Sequence, residues 1–196
     1  MIHAFPKTSA ACLALALASA PLTPAHAHPD FFVKVKYELS FAEDALTALS
    51  LDWVFDVFYS DQALNTYDLD GDGAFSADET SALQEEIFAP LADEGYFVRV
   101  ASGETPEPMQ LSSFTPRMEG EQLVLSFTLT PLAPLDYQDT SVAFVTHDPR
   151  AYDFSLAEGE FLTVEGDFNA LCRFRVEEGT GPLDGLPQTL RLLCPE

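Results

Sequence analysis

The sequence predicts an α+β fold, a single antiparallel β-sandwich-like domain with one helix–loop–helix inserted into it. Three observations carry that reading. Apolar and polar residues alternate with period two in several short runs, the mark of strands with one buried face. Gly/Pro/Asp-rich turns punctuate those runs. Between about residues 56 and 94 the period lengthens to that of helices, on either side of an acidic, glycine-bearing loop.

In chain order, Val33-Lys34-Val35-Lys36-Tyr37-Glu38-Leu39-Ser40-Phe41 alternates without a break and reads as the first strand. Ala42-Glu43-Asp44 turns the chain. Leu49, Leu51, Trp53 and Phe55 then form a second strand, the hairpin partner of the first. Asp56 stands where a carboxylate would cap a helix, with Val57, Phe58, Leu64 and Tyr67 assigned to its buried face. A loop follows at 68–79. Leu83, Ile87 and Leu91 mark a second helix that Pro90 should kink or end, with Gly95 at its exit. Strands resume at Tyr96–Val100, Leu123–Leu129, Val142–Val145, Phe161–Val164, Cys172–Val176 and Leu190–Cys194. Turns lie between them at Gly103–Pro108, Pro131–Asp136, Glu158–Gly159 and Gly179–Pro187.

Residues 1–27 stand apart from this pattern. Lys7 precedes an apolar run from Ala10 to Ala20, and Ala25-His26-Ala27 offers a small-x-small cleavage site. The run falls short of the roughly 20 residues a membrane span needs, so it reads as a cleaved secretory signal. The mature chain then begins at His28, and residues 28–196 form one β-rich domain exported to the periplasm. No second long apolar stretch exists, so no direct membrane insertion is expected. Cys172 and Cys194 remain in an oxidising compartment, where a disulfide between them would stabilise by roughly 3 kcal/mol.

Composition excludes several functions. The chain carries 32 Asp+Glu against 9 Lys+Arg, a formal charge of −23, which would repel nucleic acid and anionic membranes. Apolar residues make up 47%, too many for a disordered acidic chain, so the charge coats a folded body. No GxSxG, no HExxH and no Cys nucleophile beside a His is present, and the chain reads as a non-enzyme. Carboxylate pairs carry no weight at this acidity. The oligomeric state stays open.

The strongest local signal is Asp68-Leu69-Asp70-Gly71-Asp72-Gly73-Ala74-Phe75-Ser76-Ala77-Asp78-Glu79. It fits the twelve-residue EF-hand loop at each position with a role. Asp68, Asp70 and Asp72 take positions 1, 3 and 5, each with one carboxylate oxygen. Gly73 takes position 6, where the turn requires a backbone angle that a side chain opposes. Ala74 offers its carbonyl at position 7, Ser76 a hydroxyl or held water at 9, and Glu79 two oxygens at 12. About seven oxygens around one hard cation is the coordination calcium prefers. With no second loop of this kind, the ion reads as a structural staple rather than a cooperative sensor.

A second metal site is sketched by the scarce histidines. His28 at the new N-terminus offers an amine and an imidazole, and Asp30 a carboxylate beside them. His147 and Asp148 follow a predicted strand in Thr146-His147-Asp148-Pro149. If the first strand lies beside that strand end, these four residues converge on one zinc, nickel, cobalt or copper ion. The alternative is a turn in which Asp148 caps its own backbone.

Several segments together resemble a known family. His28-Pro29-Asp30-Phe31-Phe32-Val33 is similar to a His-Pro-His-x-x-x opening, and Trp53-Val54-Phe55-Asp56-Val57-Phe58-Tyr59-Ser60 to a Trp-x-Phe-Asp-x-x-Phe-Ser segment. The calcium-type loop, Glu94-Gly95-Tyr96-Phe97 and Asp148-Pro149-x-x-Tyr152 follow in the same order. The chain thus resembles a widespread family of bacterial periplasmic proteins of unknown function, whose members are labelled as the periplasmic component of an ABC-type transport system. Members are often encoded beside permeases of the nickel/cobalt-efflux type. The resemblance implies a metal-handling accessory protein partnered with an inner-membrane metal permease. Asp30 stands where that family has its second His, and a carboxylate suits harder ions than imidazole does. The other expectation is a calcium-stabilised secreted module that only recognises another protein.

Overall fold

In the computed structural model, which describes residues 31–138 and 140–195, twelve strands form two sheets, with helical elements between residues 57 and 97 and a 3-10 turn at Gly181–Leu183. The first sheet begins with the hairpin of β1 (Phe31–Ala42) and β2 (Ala45–Phe55), turned at Glu43 and Asp44, both in the left-handed region. Helix α1 (Val57–Tyr67), the loop and helix α2 (Ala77–Leu83) come next. The helical path continues as a π-helical turn over Gln84–Phe88 and a 3-10 stretch over Ala89–Phe97. Beyond it lie β3 (Val98–Ser102), β4 (Thr105–Pro106), β5 (Met109–Glu119), β6 (Gln122–Pro131), β7 (Leu135–Asp136) and β8 (Val142–Thr146). The chain ends with β9 (Tyr152–Leu156), β10 (Leu162–Gly166), β11 (Arg173–Glu177) and β12 (Thr189–Leu193).

One sheet runs in the order β10-β1-β2-β6-β5, with β9 also on β1 and β7 on β2; the other runs β11-β12-β8-β3-β4. The period-two pattern decides which face is buried. Val35, Trp53 and Leu125 stand in one cross-strand row, and Tyr37, Leu51 and Phe127 in the next. All six are buried and face Val98, Val100, Val142, Phe144, Leu190 and Leu192 of the second sheet in one continuous core. The Tyr37 ring meets Phe144 with centroids 5.2 Å apart, and its hydroxyl pairs with that of Thr146 at 2.8 Å. Burial pushes the Tyr37 hydroxyl up to about 12, against the pull of Thr146, so it stays neutral. This is the expected sandwich-like α+β architecture.

Three expectations need correction. The first sheet is mixed, not antiparallel, because β1 pairs in parallel with β9 along its first half and with β10 along its second. Val57 and Phe58 do not face the core; they are 51% and 71% exposed, and α1 packs instead through Tyr59, Ser60, Ala63 and Tyr67. The small Ser60 lets the helix sit close, its Oγ donating to the Asp56 carbonyl and accepting the Leu123 amide at 2.7 Å. The second helix is not one regular α-helix. Its α part ends at Leu83, which is buried as predicted, and Phe88, absent from the predicted face, is buried completely as well.

Cys172 and Cys194 are joined by a disulfide, a pairing suited to an oxidising, extracytoplasmic compartment. Among the described residues, no helix is long and apolar enough to cross a membrane. The predicted signal segment, His28 and Asp30 lie outside the described residues.

Candidate metal centre

The loop between α1 and α2 is built from its two helix ends. At the end of α1 the Asp68 amide donates to the Leu64 carbonyl at 2.9 Å, while Asp56 caps the far end of that helix by accepting the Tyr59 amide at 2.9 Å, as its spacing predicts. At the other end Ser76 caps α2, and Ser76 and Glu79 form a reciprocal capping box: the Ser76 amide donates to Glu79 Oε2 at 2.8 Å, and the Glu79 amide returns to Ser76 Oγ. The Ser76-Ala77-Asp78-Glu79 spacing carries this signal, which the metal-loop reading passed over. Across the loop, the Tyr67 hydroxyl donates to Glu86 Oε2 at 3.1 Å and holds the two helical segments together.

Within the loop, Asp68 gathers backbone amides. Its Oδ1 accepts from Gly71 at 2.8 Å and Asp72 at 3.2 Å, and its Oδ2 accepts from Gly73 at 2.9 Å. Gly73 adopts φ +83°, where a side chain is disfavoured although the space around it is open. Glu79, only 4% exposed, reaches back so that the Leu69 amide donates to its Oε1 at 2.6 Å. The amide and hydroxyl of Ser76, helped by Leu69, hold the Glu79 carboxyl below its ordinary value. Asp70 is shifted the other way. The Asp72 amide favours its anion, but the charge of Asp72, partial desolvation and the charge of Glu79 outweigh that donor.

Of the six predicted ligand residues, the fold brings three together. One oxygen each from Asp68, Asp70 and Glu79 lie within 4.8 Å of one another. Asp72 is exposed and accepts the Ala74 amide at 2.8 Å; Ala74 and Ser76 are exposed and stand outside that trio. Phe75, at loop position 8, packs against this chain's own core.

His147 and Asp148 follow β8. The chain enters β1 beside them: the Phe31 amide donates to the Ala151 carbonyl at 3.2 Å and Phe31 pairs with Tyr152. The His147 amide donates to the Phe97 carbonyl at 2.9 Å. Asp148 is buried, and both its oxygens are engaged. Oδ1 accepts the Arg150 amide at 3.2 Å; Oδ2 accepts the amides of Ala151 at 2.9 Å and Tyr152 at 3.1 Å. Arg150, overlooked in the sequence reading, spans from Asp148 to Glu94, which it meets at 3.0 Å.

Parts of four of the segments that carried the family resemblance, though not the 68–79 loop, therefore meet at one end of the molecule. Phe31 contacts the rings of Tyr59 and Tyr152, Phe55 contacts the same two, and Asp56 exchanges hydrogen bonds with Phe32. Gly95, Tyr96 and Phe97 all take positive φ angles beside the 147–151 turn. No curated protein sequence matches the chain significantly. A family profile does match, over residues 12–184, taking in every strand from β1 to β11: the chain belongs to the family described as protein of unknown function (DUF1007).

Proposed function

We propose that residues 68–79 hold one calcium ion as an EF-hand, and that the protein is a periplasmic accessory that handles a divalent metal for an inner-membrane metal permease. The calcium reading rests on the approach of Asp68, Asp70 and Glu79 oxygens to within 4.8 Å. Calcium–oxygen distances of about 2.3–2.6 Å put oxygens on opposite sides of one ion about 5 Å apart, so these three fit a single coordination sphere. An all-oxygen donor set suits a hard cation. Asp72, the Ala74 carbonyl and Ser76 would complete it by position, and Glu79 would supply two oxygens.

The ion would act as a staple. It would offset the repulsion that raises Asp70 and fix the α1–α2 entry into the core through buried Glu79. Calorimetric titration of the chelator-stripped protein tests this. Binding in the range of about 10⁻⁴–10⁻³ M, lost in Glu79→Gln, supports it; equal heats in both proteins would remove it.

Metal handling draws on the family resemblance and on the entry of β1 beside His147. His28 and Asp30 directly precede that strand in sequence, and with His147 they would take zinc, nickel, cobalt or copper. Titration of signal-free protein with each ion, repeated on His28→Ala and His147→Ala, should show tight binding that both substitutions weaken. The full engagement of Asp148 favours a second reading, a calcium-stabilised secreted interaction module with no transition-metal role. Transition-metal affinity no tighter than calcium's, unchanged in both histidine variants, would decide for it.

A further inference from the structure

We propose that the free edge of β11 pairs with the same edge of a second copy of this chain, continuing the second sheet across a two-fold axis. The inference is independent of both metal readings. Among the described residues, the other sheet edges are short, broken or interrupted. β5 is broken by a register shift between Leu111 and Ser113 and contains Pro116, and β4 is two residues long and includes Pro106. The β9 and β10 edge is interrupted between Leu156 and Leu162. β11 is regular throughout its pairing with β12, contains no proline, and has no other strand beside it among the described residues.

Its side chains distinguish a second copy from other occupants. Arg173 and Arg175 project from this edge and form no ion pair among the described residues; such charges would ordinarily guard an edge. Arg175 also stands beside Arg191 on β12, a like charge directly across the ladder. A two-fold axis perpendicular to the sheet keeps each side chain on its own face and passes through one residue position. Centred on Phe174 or Arg175, the pairing would set arginine against arginine. Centred on Val176, it sets Arg175 of each copy opposite Glu177 of the other, twice over. Glu177 gives Oε1 to Arg191 at 2.6 Å, and its second oxygen is unengaged among the described residues. The same register buries Val176, 44% exposed in the single chain, against itself. The charges that would repel a foreign strand become complementary in this one register.

Sedimentation of the full mature chain over a wide concentration range tests the pairing. The wild type should double its mass as concentration rises, and Arg175→Glu, which sets like charges opposite each other, should stay a single chain with an unchanged melting curve. Val176→Cys should cross-link to itself under mild oxidation several-fold faster than Ser113→Cys on the β5 edge, with peptide mapping placing the new bond between the two introduced thiols. A wild type that remains a single chain throughout would overturn the proposal. So would a dimer that persists in Arg175→Glu, or equal cross-linking at the two edges, or uptake of an acidic peptide strand by a chain that never self-pairs.

Discussion

The 68–79 loop and the 147–152 turn are both acidic and both join regular elements, yet their carboxylates are spent differently. In the turn, one buried carboxylate serves three backbone amides and an arginine, and the chain there is closed by its own hydrogen bonds. In the loop, carboxylates from opposite ends of the segment approach one another, with the charge of Asp72 and Glu79 bearing on Asp70. Burying a carboxylate is tolerable only when donors satisfy it. The turn meets that need with one carboxylate, whereas the loop also leaves like charges facing each other, which a cation would offset on the calcium reading. Acceptance of backbone amides does not separate the two regions, since Asp68 and Glu79 accept them as Asp148 does; the convergence of several carboxylates does.

The largest effect should come from removing the buried acid of the turn. Asp148→Ala leaves the Arg150, Ala151 and Tyr152 amides without their acceptor. It should cost about 3 kcal/mol in urea unfolding, by the cost of stranding several buried donors. The loss should be the same with or without added metal. A variant of wild-type stability that has lost transition-metal binding would reverse the comparison, making Asp148 a ligand and the turn the functional centre.

Alkaline pH should strike the turn before the loop. Tyr37 is bonded to Thr146, one residue ahead of His147, and burial holds its hydroxyl at about 12. Tyr59 and Tyr152 pack at the same end, and burial raises both. For a tyrosine whose folded value is raised, the stabilisation is fully present below the unfolded value near 10 and is lost as pH rises through the folded value. For Tyr37 the total is at most about 3 kcal/mol. Tyrosinate absorbance and melting temperature followed together should change in concert above pH 10. Titration of these tyrosines near 10 with no loss of stability would show that the sandwich interior at this end is open to water.

Calcium should act on the other side of the comparison. At ten times its dissociation constant the ion should raise stability by about 1.4 kcal/mol in the wild type. In Glu79→Ala the increment should vanish, and the metal-free protein should lose about 1 kcal/mol besides, because Glu79 also closes the capping box on Ser76. Glu79→Gln keeps a side chain able to accept the Ser76 amide, so it should lose the calcium response while keeping most of the metal-free stability. Differential scanning calorimetry with and without calcium separates the two roles.

The two regions also differ in how much of each was legible beforehand. The loop is local: its candidate ligands, glycines and caps fall within twelve consecutive residues, so residue spacing alone draws it. The β1–β2 hairpin is legible for the same reason, with unbroken alternation and a short turn. What brings the start of β1 to the 147–152 turn is parallel pairing with β9, a contact between segments more than a hundred residues apart, and no local pattern encodes it. β5 escaped notice because it is an edge strand whose core-facing residues are mostly only half-buried, and the register shift between Leu111 and Ser113 breaks its alternation. The wrong face of α1 has a similar cause. Val57 and Phe58 are the more apolar residues, but close packing on β6 selected small Ser60 and Ala63, and hydropathy ranks these low.

The smallest predicted effect bears on what holds the turn shut. Arg150 reaches both Asp148 and Glu94, and its side chain is 63% exposed. An ion pair that open to water contributes little, because solvent screens the attraction and ordering a long side chain opposes it. Arg150→Ala should therefore cost about 0.5 kcal/mol, well below Asp148→Ala, although both break the same salt bridge. The inequality follows from where the partners of Asp148 lie: three are backbone amides that Arg150→Ala leaves in place, and only the fourth is the guanidinium. Equal losses in the two variants would mean that the arginine rather than the backbone keeps the carboxylate in place. Asp148 would then be releasable by a competing cation, and the distinction between the closed turn and the open loop would narrow to one side chain.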